Sequence, residues 1–335
     1  GYRGVGLQGA FDLEWTDEGT GVGFRYRGEA LVAGLPVPMD EDPYEPLARF
    51  GGLSAAQVAG LLASEWALGD EKTPSRPSAI RLRDDLTGAD LAGVAAHEGI
   101  RALLELGASK GHLARTKSGN LKVATVRAWA ERMQERVDGW DGLLERIGHR
   151  FHEADVPNLT WLRLLAELAG WLEPVSSRLE LRPEGRRMLE PGREGECFAR
   201  LVRTCFRDYN LDYGARVEWP EGQDQVAFTI YRLGDIAVDW VTAGEMLGDY
   251  AVLPVAQADL MLAVEEVVGP RLEAYDEDAQ DVILFDDEAW AFETHLLWPL
   301  MRFGILERMW DDVTGSFAYR VTSRYSGLFE FDLEV

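Results

Sequence analysis

The sequence predicts a mainly helical protein with small β-hairpins, an α+β class, and three observations carry that expectation. Apolar residues recur at helical spacing through much of its 335 residues. Short stretches of period-two alternation sit between turn formers, and one order of elements (helix, hairpin, turn) recurs along the chain. The length allows two or three cores, and an apolar content of 46% is that of an ordinary globular protein.

Residues 11–15 and 22–27 alternate, and Thr16-Asp17-Glu18-Gly19-Thr20-Gly21 between them is rich in turn formers; this predicts an N-terminal β-hairpin. Residues 34–46 carry four prolines and several acids, the composition of an extended connector. Together these make a first region, 1–50. Ser54 stands three residues before Gln57 at the head of an apolar run reaching Leu61 and Leu62, the spacing of a capping box that opens a short helix. Residues 70–78 read as a loop, and Thr87 or Asp90 is expected to open the next helix.

A repeating plan begins at Gly99. In its first unit a helix carrying Ile100, Leu103, Leu104 and Leu106 leads to Ser118-Gly119-Asn120 and a second helix with Leu121, Val123, Val126, Trp129 and Met133. The second unit has an amphipathic helix over 159–172 that ends in Glu-Leu-Ala-Gly-Trp-Leu-Glu, a strand at 178–181 and a closing turn at 183–189. The third repeats it: a helix over 295–310 containing Arg-Phe-Gly-Ile-Leu-Glu, a strand at 318–322, and a stop at Gly327-Leu328-Phe329. A helix packed on a core and followed by a two-stranded wing is the plan of a winged helix. Such wings carry a Leu-x-Leu-Thr-x-x-Gly run, and Leu179–Leu181 with Gly185 fits it, with Arg182 where Thr is usual. The expected organisation is therefore 51–192 with two winged-helix-like units, and 193–335 as a helical region ending in a third. Residues 195–270 read mostly as helix, with Phe198, Leu201, Val202, Cys205 and Phe206 at helical spacing and again Leu260, Leu262, Val264 and Val267. The aromatics of that region are assigned to core, because no basic residues interleave them as in a base-stacking platform.

From about Asp40 onward the chain resembles a group of uncharacterised bacterial proteins. The resemblance is carried by Tyr44-Glu45-Pro46-Leu47, Gly51-Gly52-Leu53-Ser54-Ala55-Ala56-Gln57, Thr116-Lys117-Ser118-Gly119-Asn120-Leu121 and the stretch 164–173. It implies the fold rather than an activity. Some members of that group carry a cysteine-rich zinc module of the SEC-C type, and the two cysteines here cannot supply one.

A formal charge of -24 argues against a surface that as a whole binds a polyanion. Cys197 and Cys205 lie eight residues apart on one expected helix, too far along its axis to bridge, and a reducing cytoplasm is expected. No run approaches the ~18–20 apolar residues of a membrane span, and Gly1-Tyr2-Arg3-Gly4 does not read as a signal peptide.

Within that acidic whole, residues 101–136 hold eight basic residues against three acidic ones, a local excess of five. Asn120 is placed as a cap of the second helix, with backbone N–H groups at Ser118–Asn120 able to hold a phosphate and Lys117, Lys122 and Arg127 around them. Lys117, Ser118, Asn120, Lys122 and Arg127 are thus the candidate nucleic-acid-binding residues, where a helix-turn-helix would put its reading helix; a solvated polar face is the plainer reading. His149 and His152 stand three apart beside Glu153 but lack a third ligand. The run 273–293 has nine carboxylates and no basic residue, with only a faint echo of a calcium loop. Gly4-Val5-Gly6-Leu7-Gln8-Gly9 follows no strand and opens no helix, so it is not a dinucleotide fingerprint. No nucleophile elbow or phosphate loop is present, and neither cofactor nor metal is expected. The leading expectation is a non-enzymatic binding or scaffold protein that works through protein–protein contacts. A nucleic-acid-binding regulator using the 116–136 helix is the alternative, and an acidic nucleic-acid mimic that occupies a basic partner the third.

Overall fold

The computed structural model describes residues 12–15, 22–26, 29–32, 35–38, 45–46, 51–63, 66–68, 79–137, 152–211, 222–248 and 292–333. Among these residues it is a mixed α/β chain with four small sheets.

The N-terminal hairpin forms as expected and continues. Strands β1 (Asp12–Trp15), β2 (Val22–Tyr26), β3 (Glu29–Val32) and β4 (Leu35–Pro38) make an antiparallel meander, with Asp12 opposite Arg25 and Val32 opposite Leu35. The connector expected from residue 34 is corrected here: its first part is an edge strand, where Pro36 and Pro38 are tolerated because an outer edge needs no N–H. Helix α1 (Ala55–Ala63) opens on the expected capping box. Gln57 N–H donates to Ser54 Oγ at 3.2 Å and Ser54 N–H to Gln57 Oε1 at 3.0 Å.

No helix opens at Thr87 or Asp90. Their side chains close a turn on themselves, Thr87 N–H to Asp90 Oδ2 at 2.9 Å, and Val94 is extended. The helix α2 (Ala95–Lys110) starts after it. Next come β7 (His112–Ala114), α3 (Val123–Arg136), α4 (Pro157–Leu168), β8 (Leu172–Val175), β9 (Arg178–Leu181) and α5 (Pro183–Arg187), after β5 (Ala67–Leu68) and β6 (Ile80–Leu82) upstream. The sheet order is β7-β9-β8, with Leu113 opposite Leu179. The two units expected within 51–192 therefore share one sheet and form a single arrangement. The first unit has no hairpin wing of its own, because its strand β7 pairs with the strand of the second; a two-stranded hairpin alone is marginal, and β7 completes it.

The same order recurs downstream. After α6 (Glu194–Arg203) and a wide turn at Thr204–Asp208 come α7 (Gly222–Ile236), β10 (Val241–Thr242), α8 (Ala243–Gly248), α9 (Trp298–Arg302), β11 (Leu306–Asp311), β12 (Ser316–Val321) and α10 (Ser323–Leu328). The sheet order is β10-β12-β11, equivalent to β7-β9-β8. Residues 195–248 are mostly helical where described, as expected, though β10 was not foreseen. Leu260, Leu262, Val264 and Val267 lie outside the described residues.

The two arrangements agree bond by bond at the helix ends. Gly170 (φ +71) and Gly304 (φ +64) stand just past α4 and α9 in the left-handed region that only glycine adopts readily. Trp171 N–H reaches Ala166 O at 2.9 Å and Gly170 N–H reaches Glu167 O at 3.1 Å; Ile305 reaches Leu300 at 3.0 Å and Gly304 reaches Met301 at 2.9 Å. Both are Schellman closures. After each hairpin the chain returns to the same carbonyl, Arg182 N–H to Trp171 O at 2.9 Å and Thr322 N–H to Ile305 O at 2.8 Å. The second copy keeps the hydroxyl that the first lacks: Thr322 Oγ1 accepts from Arg324 N–H at 3.2 Å, while Arg182 offers α5 no side-chain cap.

A last strand, β13 (Phe329–Phe331), pairs antiparallel with β6, which pairs parallel with β5. One continuous core joins these parts. Phe303, just past α9, packs against Trp161 at 5.3 Å, Phe198 at 5.8 Å and Phe206 at 5.9 Å. Phe198, Phe206 and Phe228 are fully enclosed, in keeping with their assignment to core. Cys197 and Cys205 are buried and unbridged, and burial pushes the Cys197 thiol up to about 12.

His97 on α2 is 3% exposed, and burial followed by the Arg101 charge lowers its pKa to about 4. The folded state therefore resists a proton that the unfolded chain takes up near 6.5. Stability is complete above that value and is lost as pH falls from 6.5 towards 4. Between pH 7 and 5 the expected loss is about 2 kcal/mol. Urea unfolding of wild type and His97→Gln at both pH values checks this; an equal slope with pH in the two proteins would refute it.

Candidate binding surfaces

Lys117, Ser118 and Asn120 lie in a tight hairpin. Arg115 bridges Leu121, Thr116 N–H donates to Asn120 O at 2.7 Å, Gly119 N–H to Thr116 O at 3.1 Å, and Lys122 N–H to Ala114 O at 2.9 Å. Arg115 folds across the turn, its Nε donating to Gly119 O at 2.6 Å. Asn120 does not cap α3. Lys122 holds the N-cap position, and it makes no side-chain cap bond. Of the Ser118–Asn120 N–H groups expected to hold a phosphate, that of Gly119 is bound to Thr116 O, and the next along the chain, Leu121 N–H, donates to the carboxylate of Glu153.

Lys117, Ser118, Lys122 and Arg127 are exposed. Lys110 is exposed too, while three arginines pair with carboxylates of the body. Arg136 pairs with Glu105 at 2.7 Å and Glu98 at 3.7 Å, Arg132 with Glu105 at 3.5 Å, and Arg101 with Glu194 at 3.8 Å. The structure thus brings Lys117 and Lys122 to one hairpin and leaves α3 without a continuous positive face.

Glu153 is engaged within the protein. It is 1% exposed; one oxygen accepts from Leu121 N–H and the other from Arg163 Nε at 2.5 Å, while Arg163 also binds Glu167. Burial opposes the Arg163 charge, but Glu153 and Glu167 outweigh it and raise its pKa. His152 is exposed, His149 lies outside the described residues, and no group of three metal-ligating side chains occurs among the described residues. The acidic run 273–293 also lies outside them up to residue 291. Its last member, Glu293, accepts from Tyr319 Oη at 2.9 Å.

Two features were missed by sequence reasoning. One is a groove of about 580 Å³ where α4, through Pro157, Thr160, Trp161 and Leu164, faces Trp298, Pro299 and Met301 of α9. Its walls are completed by Tyr209, Leu211, Glu293 and His295 and by Arg308 and Tyr319 of the second hairpin. Trp161 meets Trp298 edge to face at 5.2 Å. Burial, then the charge of Glu293, pushes the Tyr319 hydroxyl pKa up, so it stays a donor.

The other is the outer part of that hairpin. Met309, Trp310 and Val313 are 42%, 54% and 94% exposed, half of the large exposed hydrophobic side chains among the described residues. Trp310 pairs across the strands with Phe317 at 5.1 Å, and Arg308 lies over the Phe317 ring at 4.2 Å. Asp311 fixes the tip, accepting from Val313 N–H and Thr314 Oγ1, both at 2.9 Å. β11 is the edge of its sheet among the described strands. The signal was present: Met309 and Trp310 are consecutive large apolar residues next to a charged turn, where alternation would bury only one.

The chain matches no protein-family model, no curated protein and no solved structure. No helix among the described residues is long and apolar enough to cross a membrane.

Proposed function

We propose that this chain is a non-enzymatic docking protein, built from two winged-helix-like arrangements, that holds a polypeptide partner on the outer strand and tip of its second hairpin. Each arrangement has the order helix, strand, helix, helix, hairpin, with the first strand beside the last. The observation that carries the reading is the cluster Met309, Trp310 and Val313 on a hairpin whose outer strand is an edge among the described strands. Exposed apolar patches of this kind mark interaction sites, tryptophan is enriched among residues that dominate binding energy, and an edge strand offers backbone groups to an added strand.

The DNA alternative draws less support. In a winged helix the third helix enters the groove. Here α4 has one basic residue, Arg163, which is buried in an ion pair, and the Arg302 side chain of α9 lies over Trp298. The exposed Arg127 on the second helix of the plan, and Lys117 and Lys122 in the hairpin before it, support a nucleic-acid-binding regulator as the second hypothesis.

The test uses three proteins: wild type, Trp310→Ala/Val313→Asp, and Lys117→Ala/Lys122→Ala/Arg127→Ala. Proteins retained by wild type and by the triple variant but released by the hairpin variant support docking. Fluorescence polarisation against mixed-sequence duplex DNA at roughly 50 and 200 mM salt tests the alternative. Salt-sensitive binding lost only in the triple variant would replace docking with the regulator reading.

A further inference from the structure

We infer that the groove between α4 and α9 is a binding site for a small amphipathic carboxylate, with an apolar or aromatic body seated among Trp161, Trp298 and Tyr209 and its anionic head on Arg308. This goes beyond docking at the hairpin tip and stands or falls separately from it.

The walls define the body of the ligand. Trp161, Leu164, Trp298, Pro299 and Met301 give an apolar cleft of about 580 Å³, the size and character of small-molecule pockets. The polar groups define its head. Glu293 already has a donor, Tyr319 Oη at 2.9 Å, and needs no cation from a ligand. Arg308 is different: its guanidinium lies over Phe317 and beside Tyr319, and no carboxylate among the described residues pairs with it. Arg302 is in the same position, 5.3 Å over the Trp298 ring, with its Nε enclosed and lacking an acceptor among the described residues. Burial, and then repulsion by Arg308, lowers the Arg302 pKa, so the two cations act on one another. Among the described residues neither arginine has a carboxylate partner, in a chain with 58 acidic and 34 basic residues. Arg308 lies exposed at the groove wall, and a carboxylate accepting from its guanidinium supplies the counter-charge.

Isothermal titration of the full chain with 2-naphthoate, its neutral methylamide and 2-naphthylmethylammonium distinguishes the possibilities. Saturable one-to-one binding of naphthoate is expected, weakened at least about tenfold in Arg308→Gln, partly restored in Arg308→Lys, and unchanged in Lys117→Ala. An unaltered melting temperature in Arg308→Gln excludes loss of fold as the cause. The inference is overturned if the methylamide or the ammonium compound binds as tightly as naphthoate, if Arg308→Gln binds like wild type, or if naphthoate gives no saturable heat. None of these outcomes depends on Trp310, so a failure here leaves the docking test untouched.

Discussion

Replacing Glu153 by alanine is expected to lower the free energy of unfolding by about 3–5 kcal/mol, the cost of stranding one member of a buried ion pair. The carboxylate is fully enclosed and holds three parts of the chain together. It binds Leu121 N–H at the exit of the 115–121 hairpin and Arg163 on α4, and it belongs to the turn before that helix. Without it, Arg163 keeps Glu167 but loses its enclosed partner, and Leu121 N–H has no acceptor in its place. Glu153→Gln keeps one acceptor but sets its amide NH2 against the other donor, so it should recover only part of the loss. Converting Glu153 and Arg163 together to methionine and leucine removes both charges and should recover much of the loss, as replacing whole buried pairs commonly does. Urea denaturation of the four proteins measures this cycle, and an alanine variant within 1 kcal/mol of wild type would show that the pair contributes little.

Gly195→Ala is expected to cost about 3 kcal/mol, the upper part of the range for overpacking. Gly195 lies in the first turn of α6, where an added methyl would stand 2.2 Å from Asp84 O and 2.5 Å from Leu86 O. Both are backbone atoms, which cannot swing aside as the end of a side chain can. Alanine favours helix over glycine by up to about 1 kcal/mol, so a net loss despite that gain would isolate the clash. Thermal unfolding reads the effect, and a variant as stable as wild type would mean that α6 can move off the 84–86 segment at no cost.

Neither residue announces its role in the sequence. Gly195 has nothing to distinguish it locally from other helical glycines, since the atoms it must avoid lie over a hundred positions upstream. Glu153 reads as a surface acid next to two histidines, and only the arrival of Arg163 and Leu121 encloses it. Local signals were legible. The Ser54–Gln57 cap, the first hairpin, the strand at Arg178–Leu181 and the correspondence between the second and third units are written in adjacent residues. What was not legible is pairing at a distance. His112–Ala114 buries one leucine and has no alternation to detect, and its membership in the sheet depends on Leu179. For the same reason two units were expected where one sheet exists.

The candidate sites divide in the same way. A local excess of basic residues is countable, so Lys117, Lys122 and Arg127 could be named at once. That Arg132 and Arg136 face α2 carboxylates is a matter of helix packing. The groove draws on residues from Pro157 to Tyr319, and each of its tryptophans falls at ordinary core spacing.

The pairing of β13 with β6 sets an order of events when the chain is made. During synthesis, β6 and its neighbour β5 emerge early, but the strand that completes their sheet is among the last described residues to appear. Gln57 Nε2 likewise awaits Leu333 O, its partner at 3.2 Å. Until then Ile80 and Leu82, fully enclosed in the finished protein, have an uncovered edge. A nascent chain carrying both repeated arrangements would still be open at its base, and this is the interval in which exposed edges invite wrong pairings. Pulsed hydrogen exchange on refolding chains should find protection in α2 and α4 before it finds protection in β6.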